Sequence, residues 1–287
     1  TGCYLLPGII DDHVHFRDPG LTHKADILTE SRAAAAGGVT SIMDMPNTNP
    51  LTVTLDALNA KLDLLNEKCI VNHSCYFGAT NNNYTEFDKL DKHRVCGIKL
   101  FMGSSTGNML VDKMNSLLNI FNGTDMLIAA HCEDQETIKN NIEKYKQKYK
   151  GADDIPVSAH PSIRSVPACY ASSELAVRLA KIAGARLHIL HVSTAKELQL
   201  FSDEPLASKN ITAEACVAHL LFTLTHYNSL GTRIKCNPAV KRKTDREALR
   251  AAVNSGLIDV IATDHAPHLL NEKEGGALKA MSGMPMI

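Results

Sequence analysis

Pro7-Gly8-Ile9-Ile10-Asp11-Asp12-His13-Val14-His15-Phe16-Arg17-Asp18-Pro19-Gly20 is the stretch on which the reading of this chain turns. An apolar run, Leu5 to Ile10, has the character of a buried strand, and it ends in two acids and then two histidines at i and i+2. Side chains two apart on a strand share a face, so His13 and His15 can aim their imidazoles at one point. Two neutral imidazoles converging at a strand end make half the shell of a divalent metal such as zinc. Arg17, two residues further on, carries a fixed fork of donors suited to a carboxylate.

Outward from this stretch the same pattern recurs: a short apolar run, a polar residue at its end, then a helical stretch. The predicted strands are Leu5–Val14, Val39–Met45, Ile70–Ala79, Val95–Met102, Met126–Cys132, Arg186–Val192, Ile211–Val217 and Val260–Thr263. Between them, residues of helical period and good propensity predict helices over Asp26–Ala36, Asp56–Glu67, Lys113–Phe121, Gln135–Tyr149, Val166–Ala183 and Asp245–Ser255. Alternating strands and helices argue for a parallel sheet. Eight such units argue for a closed α/β barrel of (β/α)8 type rather than an open doubly wound sheet. The Gly-rich fingerprint of a dinucleotide fold is missing.

Composition sets the limits. The 287 residues suit one large domain or two small ones, and 44% hydrophobic with 21% charged is ordinary for a globular protein. A net charge of −1 gives no global field to draw nucleic acid or an anionic membrane. No apolar stretch approaches the ~20 residues that span a bilayer. Of the 8 cysteines, Cys69, Cys75, Cys96, Cys132, Cys169, Cys216 and Cys236 sit singly in apolar or strand-like runs. Buried, reduced thiols are expected there, and without a CxxC pair a cysteine zinc site is not.

Barrel enzymes carry their chemistry at the C-terminal ends of strands, and the polar residues gather there. His131 and His191 each close an apolar strand and read as further metal ligands. Lys99, between Ile98 and Leu100, is expensive to bury as a cation. It is either one half of a buried salt bridge or a neutral amine that takes up CO2 to form a carbamate bridging two metals. Two divalent ions bring four positive charges, of which the carbamate, Asp264 and a bridging hydroxide would remove three. Asp264 can be a ligand and also a proton carrier between an attacking water and a leaving nitrogen. His268, in a loop held by Pro267, reads as a substrate contact. Asn47 and Asn237 are loop amides that either bond a substrate imide or carboxylate or merely cap turns. His188, three before His191, is expected on the opposite face of its strand, against helices. His23, His73, His93, His160, His219 and His226 read as structural or surface residues.

The segments PGIIDDHVHFRDPG, MPNTNP, GIKLFM, AHCED, LHVST, CNPAVK and ATDHAPH occur in this order and span nearly the whole chain. On them the chain resembles the dihydroorotases of the amidohydrolase superfamily. The resemblance implies a metal-dependent hydrolase barrel with two zinc ions, bridged by carboxylated Lys99 and hydroxide. It implies reversible hydrolysis of the dihydroorotate ring amide to N-carbamoyl-aspartate in pyrimidine synthesis. It assigns His13 and His15 to one metal, His131 and His191 to the other, Asp264 to acid–base catalysis, and Arg17, Asn47, Asn237 and His268 to substrate. A small-molecule substrate and a cytoplasmic location follow, with no nucleic-acid or membrane partner; a homo-oligomer stays open. The alternative is a related cyclic amidohydrolase, an allantoinase or dihydropyrimidinase. One departure is that Glu214 is followed by Ala-Cys-Val-Ala-His219, where many relatives carry Pro-His-His. Relatives also fold their two ends into a small β-sandwich. Residues 1–287 are therefore expected to be a barrel truncated at both ends, with apolar faces of the first and last strands left bare.

Overall fold

Eight parallel strands follow one another in chain order around a single sheet in the computed structural model, which describes residues 2–103 and 109–287. They are β1 (Ile9–Val14), β2 (Val39–Asp44), β3 (Asn72–Gly78), β4 (Val95–Phe101), β5 (Ile128–His131), β6 (Leu187–Ile189), β7 (Ile211–Cys216) and β8 (Val260–Ala262). The helices among the described residues are α1 (Ile27–Gly37), α2 (Leu55–Lys68), α3 (Met114–Asn122), α4 (Gln135–Lys148), α5 (His160–Ile163), α6 (Val166–Ala183), α7 (Val217–Leu221), α8 (Tyr227–Leu230) and α9 (Lys243–Ser255). β1 and β8 close the ring through a parallel bridge between Val14 and His265 and a 2.7 Å bond from His15 N–H to the His265 carbonyl. Next to it, Thr263 Oγ1 donates to Asp11 Oδ2 at 2.6 Å. This is the expected (β/α)8 barrel, and no β-sandwich occurs among the described residues.

The local chemistry explains the breaks. Asp26 caps α1 by accepting from Thr29 N–H at 2.8 Å, and the Thr29 hydroxyl faces the Asp26 amide in return. Thr54 and Asp134 cap α2 and α4 in the same way. Along the strands, alternate residues split between two environments. Ile42, Phe77, Ile98, Leu100, Ile128, Ala130, Leu187 and Ala213 turn outward and join Ile27, Leu58, Leu62, Leu117, Ile120, Ala176 and Leu249 of the helices in the main core. Inside, a small apolar plug of Met45, Tyr76, Ala129 and Leu190 fills the barrel. Titratable side chains share the interior with it: His13, Lys99, His131, His188 and Glu214 are all buried.

The loop leaving β1 is folded back tightly. Gly20 has φ 78°, and a Cβ there would lie 1.9 Å from the Asn49 carbonyl oxygen, so only glycine permits this closure. The closure brings the β1 and β2 loops together over the mouth of the barrel.

Three expectations need correction. The apolar run before His13 enters the sheet only at Ile9; Leu5 and Leu6 are exposed. Ile9, Ile10 and Ile261 stay about half exposed, while Val14 and Ala262 of the same strands are buried. His188 faces the barrel interior rather than the helices, because β6 ends at Ile189 and its alternation does not extend to His191. All eight cysteines are free thiols, but Cys69 and Cys96 are only partly buried and Cys3 is exposed. No described helix is long and apolar enough to cross a membrane.

Candidate metal centre and substrate pocket

His13 closes the inner face of β1, and its Nδ1 lies 3.0 Å from Glu214 Oε1 of β7. A carboxylate can only accept, so the His13 proton sits on Nδ1 and the Nε2 lone pair is free. His15 lies one residue past the strand, and its Nδ1 donates to Asn47 Oδ1 at 2.8 Å. Both Nε2 atoms then point at one oxygen, each 3.2 Å from Asp264 Oδ1. Two imidazoles and a carboxylate converge there, a donor set that suits a divalent cation once both Nε2 atoms are unprotonated. Burial lowers His15 to about 4. Burial also opposes charge on His13, but the carboxylates of Glu214 and Asp264 raise it above the ordinary value. Asp264, for which burial works upward, is held below the ordinary carboxylate value by His13 and His15.

The second half of the centre stands on β5 and just past β6. His131 Nε2 donates to Glu133 Oε2 at 3.0 Å, and Arg164 pairs with the same oxygen. That leaves His131 Nδ1 facing His191 Nε2 at 2.9 Å. His191 Nδ1 is buried without a partner. The His13 and His191 rings lie 5.4 Å apart, so the two halves adjoin. Lys99 reaches in from β4. It makes no hydrogen bond or ion pair among the described residues, and its Nζ lies 4.6 Å over the Phe101 ring. Burial lowers it to about 8, which brings its deprotonation within reach of neutral pH. Lys99 therefore forms no salt bridge with any described residue.

The residues expected to meet substrate line the wall facing this centre. Arg17 is buried; its Nε donates to the Pro267 carbonyl at 3.1 Å and its Nη2 to His268 Nε2 at 3.1 Å. Asn237 Oδ1 is buried without a partner. His13, His15, Lys99, His131, His191 and Asp264 line one cavity of about 740 Å³ together with Arg17, Asn47, Asn237 and His268. Asn47 is also the brace of His15, a role beyond the substrate contact expected of it.

Three of these residues, Arg17 (φ 68°), His191 (φ 40°) and Asp264 (φ 49°), are the described non-glycine residues with left-handed backbone. Each lies where the chain leaves a strand, and the reversal swings its side chain over the barrel mouth. Sequence reasoning misses the supports beneath them. Glu214 is fully buried; its Oε1 also accepts from His191 N–H at 2.8 Å and Cys216 Sγ at 3.0 Å, and Oε2 lies 3.7 Å from His188 Nε2. An acid in the apolar context Ala213-Glu214-Ala215 is the same signal that singles out Lys99. Glu133, Arg164, Lys24 and Glu272 carry no such local signal.

The profile of the amidohydrolase family matches residues 4–287. The chain is 34% identical over 285 residues to a protein of Halobacterium salinarum named dihydroorotase, covering 99% of this chain and 64% of that one. Proteins of the same name from Lactobacillus helveticus and Methanosphaera stadtmanae are each 33% identical, with 65% and 63% of their lengths covered. The chain thus spans just under two thirds of the curated relatives it matches. Among solved structures it is similar to the L-hydantoinase (dihydropyrimidinase) from Arthrobacter aurescens, with TM-score 0.89, 28% identity, and 96% of this chain and 62% of that chain covered.

Proposed function

The chain belongs to the amidohydrolase family, and on that premise we propose that it acts as a dihydroorotase, opening the ring amide of dihydroorotate to N-carbamoyl-aspartate and closing it again. The observation that carries this reading is the buried Arg17 guanidinium, with His268 and the unpartnered Asn237 oxygen, lining the same cavity as His13, His15 and Asp264. A carboxylate clamp beside a hydrolytic centre fits a cyclic amide that bears a free carboxylate.

His13, His15 and Asp264 would hold one zinc ion, and His131 and His191 the second, with carboxylated Lys99 between them. The convergent imidazoles and the unpaired Lys99 amine support this donor set. Bound zinc supplies Lewis acidity to the amide carbonyl and to the attacking water. The neutral Lys99 amine adds to CO2, forming an N–C bond and releasing one proton to solvent, and becomes an anion suited to a dication pair.

In hydrolysis Asp264 accepts the proton of the attacking water as its oxygen bonds to the carbonyl carbon. It returns that proton to the ring nitrogen as the C–N bond breaks. Arg17 orients the ring by its carboxylate and the Asn237 oxygen accepts from a ring N–H, so that the scissile amide faces Asp264. Asn47 keeps His15 in the tautomer whose Nε2 lone pair faces inward.

A second reading, hydrolysis of hydantoins or dihydropyrimidines, draws on the likeness to the Arthrobacter aurescens L-hydantoinase. Turnover of dihydroorotate, hydantoin and allantoin by the zinc-loaded chain separates the two. The proposal expects dihydroorotate to lead in kcat/KM by at least ~30-fold, the worth of one buried carboxylate–guanidinium pair. Preference for hydantoin would transfer the assignment to the second reading.

A further inference from the structure

His268 is surrounded in an unusual way: each ring nitrogen has both a donor and an acceptor within reach. Nε2 lies 3.1 Å from Arg17 Nη2, which can only donate, and 3.1 Å from the Ser282 carbonyl, which can only accept. Nδ1 lies 3.2 Å from Lys24 Nζ and 3.3 Å from Glu272 Oε2. Lys24 and Glu272 pair with each other at 2.9 Å, and Glu272 is fixed by Leu269 N–H at 3.0 Å. Lys273 donates to the carbonyls of Met281 and Gly283, each at 2.8 Å, which holds the Ser282 carbonyl between them in place. Burial, with Arg17 and Lys24 alongside, holds the ring down at about 3, so it is neutral at physiological pH. A neutral ring has one proton and must choose a nitrogen.

Without ligand the choice is forced by Arg17. Its planar N–H groups cannot turn away from Nε2, whereas the Lys24 ammonium can rotate its three protons toward Glu272. The proton therefore sits on Nδ1 and bonds Glu272. A ligand carboxylate that engages Arg17 removes this constraint. It also offers Nε2 a stronger acceptor than the Ser282 carbonyl. The bare Nδ1 of the other tautomer is then covered by Lys24.

We propose that Lys24 and Glu272 are positioning residues that allow His268 to move its ring proton from Nδ1 to Nε2 when a carboxylate ligand enters. One proton leaves Nδ1 for water and one from water arrives at Nε2, so the ring's charge does not change. In this state His268 becomes a donor to the ligand beside Arg17, and a ligand lacking a carboxylate does not trigger the exchange. The inference rests on the reading above that the substrate bears a carboxylate.

The test is nitrogen-15 NMR of the His268 ring in the full zinc-loaded chain, free and saturated with N-carbamoyl-L-aspartate. It is combined with steady-state kinetics on dihydroorotate. The proposal expects Nδ1–H in the free chain and Nε2–H in the complex. Lys24→Met should raise KM about tenfold or more, as for loss of a hydrogen bond to a charged group, with kcat within twofold, and Lys24→Arg should restore most of the loss. The free ring should stay Nδ1–H in Glu272→Gln, because Arg17 still donates to Nε2. The same tautomer in both states, or a KM within twofold of the parent in folded Lys24→Met, overturns the proposal. If the chain neither binds nor turns over these compounds, the dihydroorotase reading fails separately. The brace is then decided on the free ring, where Nε2–H in the parent chain overturns it.

Discussion

Replacing Glu214 by leucine should damage both halves of the centre at once. Its Oε1 is shared by His13 Nδ1–H at 3.0 Å and His191 N–H at 2.8 Å, and the carboxylate has no exposed surface. Leucine fills similar space and accepts nothing, so two buried N–H donors lose their partner, along with the weaker Cys216 thiol. An orphaned buried donor costs about 1–3 kcal/mol, which gives a loss of about 2–6 kcal/mol. For a chain of this size that is a fall in Tm of roughly 5–20 °C. The second consequence is on metal. His13 loses the acceptor that fixes its proton on Nδ1, so part of its population turns a protonated Nε2 toward the site, and zinc affinity should fall about 10–100-fold. Glu214→Gln keeps an acceptor oxygen and should recover most of the Tm but only part of the affinity. Differential scanning calorimetry of the metal-free chains and chelator competition for zinc measure the two effects. A Glu214→Leu chain with parental Tm and parental zinc affinity would refute the reasoning.

Asp264→Asn should lose nearly all turnover while a metal assay still finds zinc, and near-parental turnover would remove Asp264 from the proton path. Arg17→Ala should lose about 2–5 kcal/mol of transition-state stabilisation with zinc content intact, and loss of zinc instead would place Arg17 among the supports of the metal shell. Lys99→Ala should lose much of the bound metal, and a short carboxylic acid added to the buffer should restore part of it; full metal content in the variant would exclude a lysine-derived bridge. His160 is lowered to about 3 by burial and by Arg164 and Lys235, whereas an unfolded histidine titrates at 6.5. Between these values the unfolded chain binds the extra proton, so stability is whole above about pH 6.5 and declines as pH falls toward 3. Urea titrations of His160→Asn should show a shallower decline over that window than the parent, and identical slopes would show that His160 does not set it.

The barrel is legible because apolar strands and amphipathic helices alternate, and both periods can be counted. His13 and His131 are legible because strand parity is a two-residue rule that holds while the strand lasts, and His15 keeps that parity one residue past β1. His188 shows where the rule stops. Parity carried from His188 to His191 crosses the end of β6 at Ile189 and a left-handed residue, neither of which the side-chain pattern announces. Lys99 stands out because a cation in an apolar strand demands an explanation, and Glu214 meets the same test. Arg164, Lys24 and Glu272 do not stand out, because polar residues in loops and helix ends are ordinary. Their importance arises only on folding, when Arg164 meets Glu133 across 31 residues and Lys24 meets His268 across 244.

The left-handed backbone of Arg17, His191 and Asp264 gives the site a standing load. A non-glycine residue held there costs about 1–3 kcal/mol, so up to three such costs sit within one constellation, and the rest of the barrel must outweigh them. The chain is therefore tuned against its own durability. Asp264→Gly should release the local strain and melt higher than Asp264→Ala, while both are equally inactive. Selection for heat resistance alone would act against these three positions first.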